Sequence, residues 1–251
     1  MELSLMKIVI TGGARGLGLA MASELAGAGA RIGIIDLDRE SIDRALETLP
    51  GGPHAGFTAD VSDEDAVVQA FDALDDSLGG INGLINNAGI TRDGLLVKAR
   101  DGQIESRMSL EQWRAVIDVN LTGVFLCGRE AASRMIERGA PGVIINIASI
   151  SRHGNFGQSN YTAAKAGVAA MTVSWAKELA RHGIRSVSIS PGFVDTELVA
   201  QMPEKAVQRI TSQVPLQRLG TPAEIAGTAR FIIENDYISG RDFAIDGGLR
   251  L

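Results

Sequence analysis

Two side chains able to exchange a proton lie one helical turn apart in the run Ser159-Asn160-Tyr161-Thr162-Ala163-Ala164-Lys165. A spacing of four puts Tyr161 and Lys165 on one helix face, about 6 Å apart along the axis. An ammonium beside a phenol favours the phenolate and is expected to pull Tyr161 below its ordinary pKa of about 10. A phenol tuned in that way gives and takes protons near neutral pH. Tyr-x-x-x-Lys also arises by chance on amphipathic surfaces, so the pair gains meaning only from its company. That company is a glycine-rich turn near the N-terminus, Asn86-Asn87-Ala88-Gly89, Asn120 and Ser149.

The turn reads Thr11-Gly12-Gly13-Ala14-Arg15-Gly16-Leu17-Gly18. It follows an apolar strand and opens a helix, so free N–H groups at the helix start face whatever the glycines allow to approach. A pyrophosphate fits that setting. Asp36 ends the next strand, where a carboxylate accepts hydrogen bonds from ribose hydroxyls and repels a 2′-phosphate. It favours NAD (NADH) over NADP. Arg15 argues the other way, because a guanidinium in the turn could meet that phosphate. Asp60 and Val61, closing a third strand, are placed to bracket an adenine edge. Asn87, Ala88 and Gly89 bring small side chains and an amide to the carboxyl edge of the sheet.

These residues need a scaffold, and the apolar pattern supplies one. Strands are expected at Lys7–Thr11, Arg31–Asp36, Gly56–Asp60, Gly83–Asn87, Val143–Ala148, Arg185–Ser190 and Asp242–Ile245. Helices are expected at Leu17–Ala28, Arg39–Leu49, from a Ser62 cap to Leu78, from a Ser109 capping box to Arg138, over Asn160–His182, and near Pro203–Gln213 and Pro222–Glu234. Strands alternating with helices indicate an α/β, doubly wound Rossmann fold: a mostly parallel, seven-stranded sheet with helices on both faces. No linker or repeat interrupts residues 1–251, so one dinucleotide-binding domain is expected. A segment at about 95–108 breaks the rhythm; Asp101-Gly102 at its centre signals a hairpin.

Composition narrows the function classes. Hydrophobic residues at 45% and charged residues at 22% of 251 are globular values. A net charge of −6 argues against nucleic acid and anionic membranes as partners. Cys127 is the only cysteine, so no intrachain disulfide and no cysteine metal cluster can form. No apolar run reaches the length of a membrane span, and the expected location is cytoplasmic. Of the histidines His54, His153 and His182, only His153 lies near the proposed site, and no Gly-x-Ser-x-Gly is present, so a serine hydrolase is rejected.

Taken in order, Gly12-x-x-x-Gly16-x-Gly18, Asn86-Asn87-Ala88-Gly89, Asn120, Ser149, Tyr161-x-x-x-Lys165 and Pro191-Gly192 make the chain resemble the short-chain dehydrogenase/reductase family over nearly its whole length. Gly157-Gln158-Ser159-Asn160-Tyr161 and Ile245-Asp246-Gly247-Gly248 are most similar to the 3-oxoacyl-carrier-protein reductases and related alcohol dehydrogenases. The resemblance implies that Tyr161 exchanges the proton of the substrate oxygen and that Lys165 holds the nicotinamide ribose. It implies that Ser149 orients the substrate, with Ser151 a nearby competitor, and that Asn120 holds a water linking Lys165 to solvent. Pro191, Gly192, Val194 and Thr196 would pass the nicotinamide, and residues 194–213 would form a lid with Leu198, Val199, Met202 and Val207.

The expected reaction is NAD(H)-dependent interconversion of a secondary alcohol and a ketone, with a 3-oxoacyl thioester as the alternative substrate. Arg129, Arg134 and Arg138 are candidates for docking a carrier protein. A non-catalytic sensor or scaffold is the other class; such proteins usually lose the tyrosine or the lysine, and both are present. Asp36 and the hairpin depart from the NADPH-selective carrier-protein reductases. The resemblance also implies a homotetramer, and no metal site is expected.

Overall fold

The computed structural model describes residues 1–196, 199 and 204–250. Within them, strands β1 (Lys7–Thr11), β2 (Arg31–Asp36), β3 (Ala55–Thr58) and β4 (Gly83–Asn86) alternate with helices α1 (Gly16–Gly27), α2 (Arg39–Thr48) and α3 (Glu64–Leu78). A hairpin, β5 (Val97–Arg100) and β6 (Gln103–Arg107), leads into α4 (Leu110–Ile117) and α5 (Gly123–Glu137). The chain continues through β7 (Gly142–Ile147), α6 (Ser159–Glu178), β8 (Ile184–Pro191), α7 (Glu204–Gln213), α8 (Pro222–Glu234) and β9 (Asp242–Ile245).

The main sheet runs β3-β2-β1-β4-β7-β8-β9 and every pairing in it is parallel. β4 and β7 are buried along their whole length, as strands covered on both faces must be. Ile8, Ile10, Ile32 and Ile34 pack towards α1 and α8, while Val9, Ile35, Leu84 and Ile144 pack towards α3 and α5. Chain order turns back between β1 and β4, which opens a crevice at their carboxyl ends. Every strand that meets this crevice delivers its next loop into it.

Several local expectations change. Asp63, not Ser62, caps α3, accepting from Ala66 N at 3.1 Å. The Ser62 hydroxyl is taken by Asp60 at 2.7 Å, and Asp63 leaves Glu64 and Asp65 to oppose the helix dipole. The helix opened by the Ser109–Gln112 capping box does not run unbroken to Arg138. A π-turn at Asp118–Thr122 divides it, with Gly123 N reaching back five residues to Asp118 O. Val119, Asn120 and Thr122 are weak helix formers there. α6 ends at Glu178 and a short 3-10 turn covers Ala180–His182. The Asp101-Gly102 signal does form an antiparallel hairpin, exposed throughout, with Asp101 at φ 51°.

Candidate active site

Two loops are stitched together across the crevice. Thr11 Oγ1 accepts from Asn87 N and Ala88 N at 3.0 and 3.1 Å, and Asn87 Nδ2 donates to Thr11 O and Gly12 O at 3.1 and 2.9 Å. Asn86 faces the core instead, donating to Asn146 Oδ1 at 2.9 Å. Gly12 and Gly16 take φ of +61° and +55°, a region that side chains other than glycine's seldom enter. A Cβ on Gly18 would run into the Gly12 carbonyl, so the turn folds tightly over the helix start. By contrast, nothing lies within 4 Å of a Cβ on Gly16. Arg15 flanks α1 without capping it, so the first amides of Gly16, Leu17 and Gly18 remain open to a ligand. A tight turn with open space above bare amides fits a dinucleotide pyrophosphate.

Asp36 Oδ2 accepts from Ala14 N at 3.2 Å and Oδ1 from Leu37 N at 2.8 Å. The carboxylate is therefore fixed beside the turn, and Arg15 is exposed. Asp60 is exposed and accepts from Ser62 N at 2.9 Å, while Val61 is buried against Gly123. On the far side of the crevice, Gly192 N donates to Ile245 O at 2.9 Å, which draws the Pro191–Val194 segment against β9. Val194 is buried and bridges to Gly220; Thr196 is half-buried. Val199 is buried, Val207 half-buried, and Leu198 and Met202 lie outside the described residues.

The residues expected to handle the proton converge at the ends of β7 and α6. Ser149 Oγ accepts from Ser151 N at 3.1 Å, which leaves its own O–H free to donate. Ser151 is itself buried. Lys165 is buried and donates from Nζ to Ile147 O at 2.7 Å, and the ammonium stands 5.6 Å from the centre of the Tyr161 ring. Burial pulls the Lys165 pKa down to about 8.

The lowered phenol pKa is not seen. Burial raises Tyr161, the Ser149 hydroxyl pulls it down, and the charge of Asp93 raises it further. Lys165 donates to a backbone carbonyl instead, and burial sets the direction of the phenol's shift. Asn120 is fully buried; its Oδ1 accepts from Ile90 N and its Nδ2 donates to Ile90 O, both at 2.8 Å. Its side chain is thereby committed to the loop after β4, beneath Gly89. A π-turn at this position puts the backbone out of helical register, a feature frequent at functional sites.

Other candidates separate from the site. His153 is exposed, and Cys127 is buried with its thiol pushed up to about 12. Arg129 pairs with Glu64 and Glu130, Arg134 with Asp72 and Glu130, and Arg138 with Asp75. All three serve the α3–α5 contact. No helix among the described residues is long and apolar enough to cross a membrane.

Residues that sequence reasoning passed over complete the site. Asn160 is fully buried, donates to Arg92 O and Gln112 O at 3.0 and 3.1 Å, and accepts from Tyr161 N at 2.8 Å. Arg152 donates to Ser149 O at 3.1 Å and pairs with Asp242 at 2.7 Å, which also takes the Ser188 and Ser190 hydroxyls. Adjacency to Tyr161 was the one available signal for Asn160. For Arg152 there was none, since its partner is ninety residues away.

Comparison with known proteins identifies relatives of the whole chain. A family model described as Enoyl-(Acyl carrier protein) reductase matches residues 12–250. The chain is 40% identical to the 3-oxoacyl-[acyl-carrier-protein] reductase of Thermotoga maritima, over 96% of each chain. It is 38% identical to the human (3R)-3-hydroxyacyl-CoA dehydrogenase, over 96% of this chain and 94% of that one. A crystal structure from Agrobacterium tumefaciens, provisionally named a gluconate dehydrogenase, superposes with a TM-score of 0.89 at 34% identity, covering 99% of this chain and 97% of that one. With the glycine turn, the seven-stranded parallel sheet and near-complete coverage by such relatives, the chain belongs to the short-chain dehydrogenase/reductase family of oxidoreductases.

Proposed function

We propose that this oxidoreductase interconverts a 3-oxoacyl thioester and the corresponding 3-hydroxyacyl thioester, a ketone–secondary alcohol exchange. The observation that carries the reading is the convergence of Ser149, Tyr161 and buried Lys165 beside the glycine turn. The nicotinamide dinucleotide, when bound, supplies or accepts the hydride. Ser149 donates to the substrate oxygen and fixes the carbonyl. Tyr161 gives that oxygen its proton during reduction and withdraws it during oxidation. Lys165, with its pKa near 8, turns from Ile147 O towards the ribose and the phenol. Because burial keeps the phenol protonated, reduction starts from the ready state and oxidation is favoured by alkaline pH. The Asn120 amide is held by Ile90, so the relay water falls to its backbone carbonyl in the π-turn.

The likeness to thioester enzymes supports thioesters over simple ketones as the substrate class. Arg129, Arg134 and Arg138 are all paired with carboxylates, which weakens them as a docking surface for a carrier protein, so a CoA thioester is the form we favour. Asp36, fixed beside the turn, favours NAD(H) because a 2′-phosphate would meet a carboxylate there. The chain acts as one dinucleotide-binding unit assembled into a homotetramer.

The test is a kinetic panel of a 3-oxoacyl-CoA, the same acyl group on carrier protein, and a plain ketone, each with NADH and NADPH. The CoA ester with NADH should give the highest kcat/KM. Tyr161→Phe should lower kcat by about a thousandfold or more with dinucleotide affinity intact. Full activity in that variant, or no turnover of any carbonyl by the natural protein, would overturn the reading.

A further inference from the structure

A fixed negative charge sits on the rim of the site. The stretch Arg92-Asp93-Gly94 leaves β4 and lies against the start of α6. Gly94 N donates to Gly157 O at 2.8 Å and Gly94 bridges in parallel to Gln158. On the other side of Asp93, Arg92 O accepts from Asn160 Nδ2 at 3.0 Å. Between these anchors Asp93 Oδ2 accepts from Gln158 Nε2 at 3.0 Å, and Gln158 Oε1 accepts from Asn155 Nδ2 at 2.9 Å. The carboxylate is therefore held in place by neutral amides. Among the described residues no lysine or arginine forms an ion pair with it. Gln158 is the residue that precedes α6, three positions before Tyr161, so the anion is held at the end of the helix that carries the reacting phenol. Behind burial, its charge also opposes ionisation of Tyr161. Phe156, in the same turn and 88% exposed, makes the neighbouring rim apolar.

We propose that Asp93, clamped by Gln158, is a specificity residue that admits 3-oxo substrates whose acid is masked as an ester or thioester and rejects the free 3-oxo acids. This rests on the carbonyl-reducing reading above. A substrate carboxylate next to the reacting carbonyl would meet the exposed charge of Asp93, which no ion pair among the described residues neutralises, and like charges at such a rim repel by an amount that salt screens. A masked acid brings no charge and meets the apolar rim instead. The named relatives include thioester enzymes and a protein named for an acid, so family likeness leaves the choice open and the rim charge decides it.

The experiment compares kcat/KM for ethyl 3-oxobutanoate and free 3-oxobutanoate, with NADH and NADPH in parallel. The natural protein should prefer the ester by about a hundredfold, Asp93→Asn should narrow that ratio about tenfold, and Asp93→Lys should narrow it further. Gln158→Ala, which frees the carboxylate to swing away, should fall between. Raising the salt concentration should narrow the ratio for the natural protein and leave Asp93→Asn unmoved. Equal turnover of ester and acid by the natural protein, or a ratio unchanged within twofold in both Asp93 variants, overturns the filter while the reductase reading stands. Failure of the natural protein to reduce the ester or any 3-oxoacyl-CoA overturns that reading, and the filter with it.

Discussion

Lys165 bears the largest electrostatic cost in the site, because it is buried without a carboxylate and rests on one carbonyl. Its pKa falls from an ordinary 10.5 to about 8. Between those values the unfolded chain binds a proton that the folded chain does not, so this residue makes stability rise with pH from about 8 to 10.5. Below that window it is charged in both states and the cost is constant. Lys165→Met should therefore be more stable than the natural protein at pH 7 by about 2 kcal/mol, after the lost bond to Ile147 O is allowed for. Denaturant unfolding should show the gap closing towards pH 10.5, with turnover abolished throughout. Asn160 is a positioning residue with the opposite balance: every polar atom of its amide is used. Asn160→Asp removes both donors and sets a carboxylate against two carbonyls. It should lower kcat at least tenfold and unfold more easily by about 3 kcal/mol, while dinucleotide affinity is unchanged. An Asn160→Asp variant with natural kcat would remove Asn160 from the positioning of Tyr161.

At the scale of elements, the glycine turn sets the distance between β1, α1 and the loop after β4. Gly18→Ala would press a methyl group on the Gly12 carbonyl and the Asn87 amide, and neither can retreat because each holds the other. Dinucleotide affinity should drop at least tenfold by fluorescence titration, with the far-UV dichroism unchanged. This turn was legible in the sequence because its function needs glycine at fixed spacing next to an apolar run. The strands were legible for a related reason: segments such as Val143–Ile145 are buried on both faces and so are uniformly apolar. The π-turn was not, since one extra residue leaves the apolar stripe of the helix nearly intact. Asp63 displaced Ser62 as a cap because two adjacent polar residues compete and backbone geometry chooses. Tyr161 and Lys165 could be named from type and spacing, and Ser149 and Asn120 from the family resemblance. The clamps Asp93–Gln158 and Arg152–Asp242 could not, for each joins side chains that only the folded sheet brings together. The same limit explains the pKa of Tyr161: helix spacing shows that a lysine is near, and only packing shows where its ammonium points.

For the molecule as a whole, surface area speaks to assembly. A monomer of 26.4 kDa is expected to expose about 10,600 Å², and this chain exposes 12,180 Å². Part of the excess is the hairpin, which stands off the body with both strands exposed. The rest includes large apolar side chains in two regions. Leu110, Trp113, Phe125 and Ile136 are exposed on α4 and α5, and Phe231 and Tyr237 are exposed on α8 and the loop that follows. Isolated apolar residues are normal on a surface, but Trp113 and Phe125 on consecutive helices and a fully exposed tyrosine in the loop leading to the edge strand β9 suit two separate contacts between copies. Two different twofold contacts generate a tetramer. Sedimentation at micromolar concentration should give four chains per particle. Phe125→Glu should leave dimers joined through the α8 side, and Tyr237→Glu should leave dimers joined through α4 and α5. A natural protein that sediments as one chain would end this account, and with it the reason for leaving those aromatic rings in water.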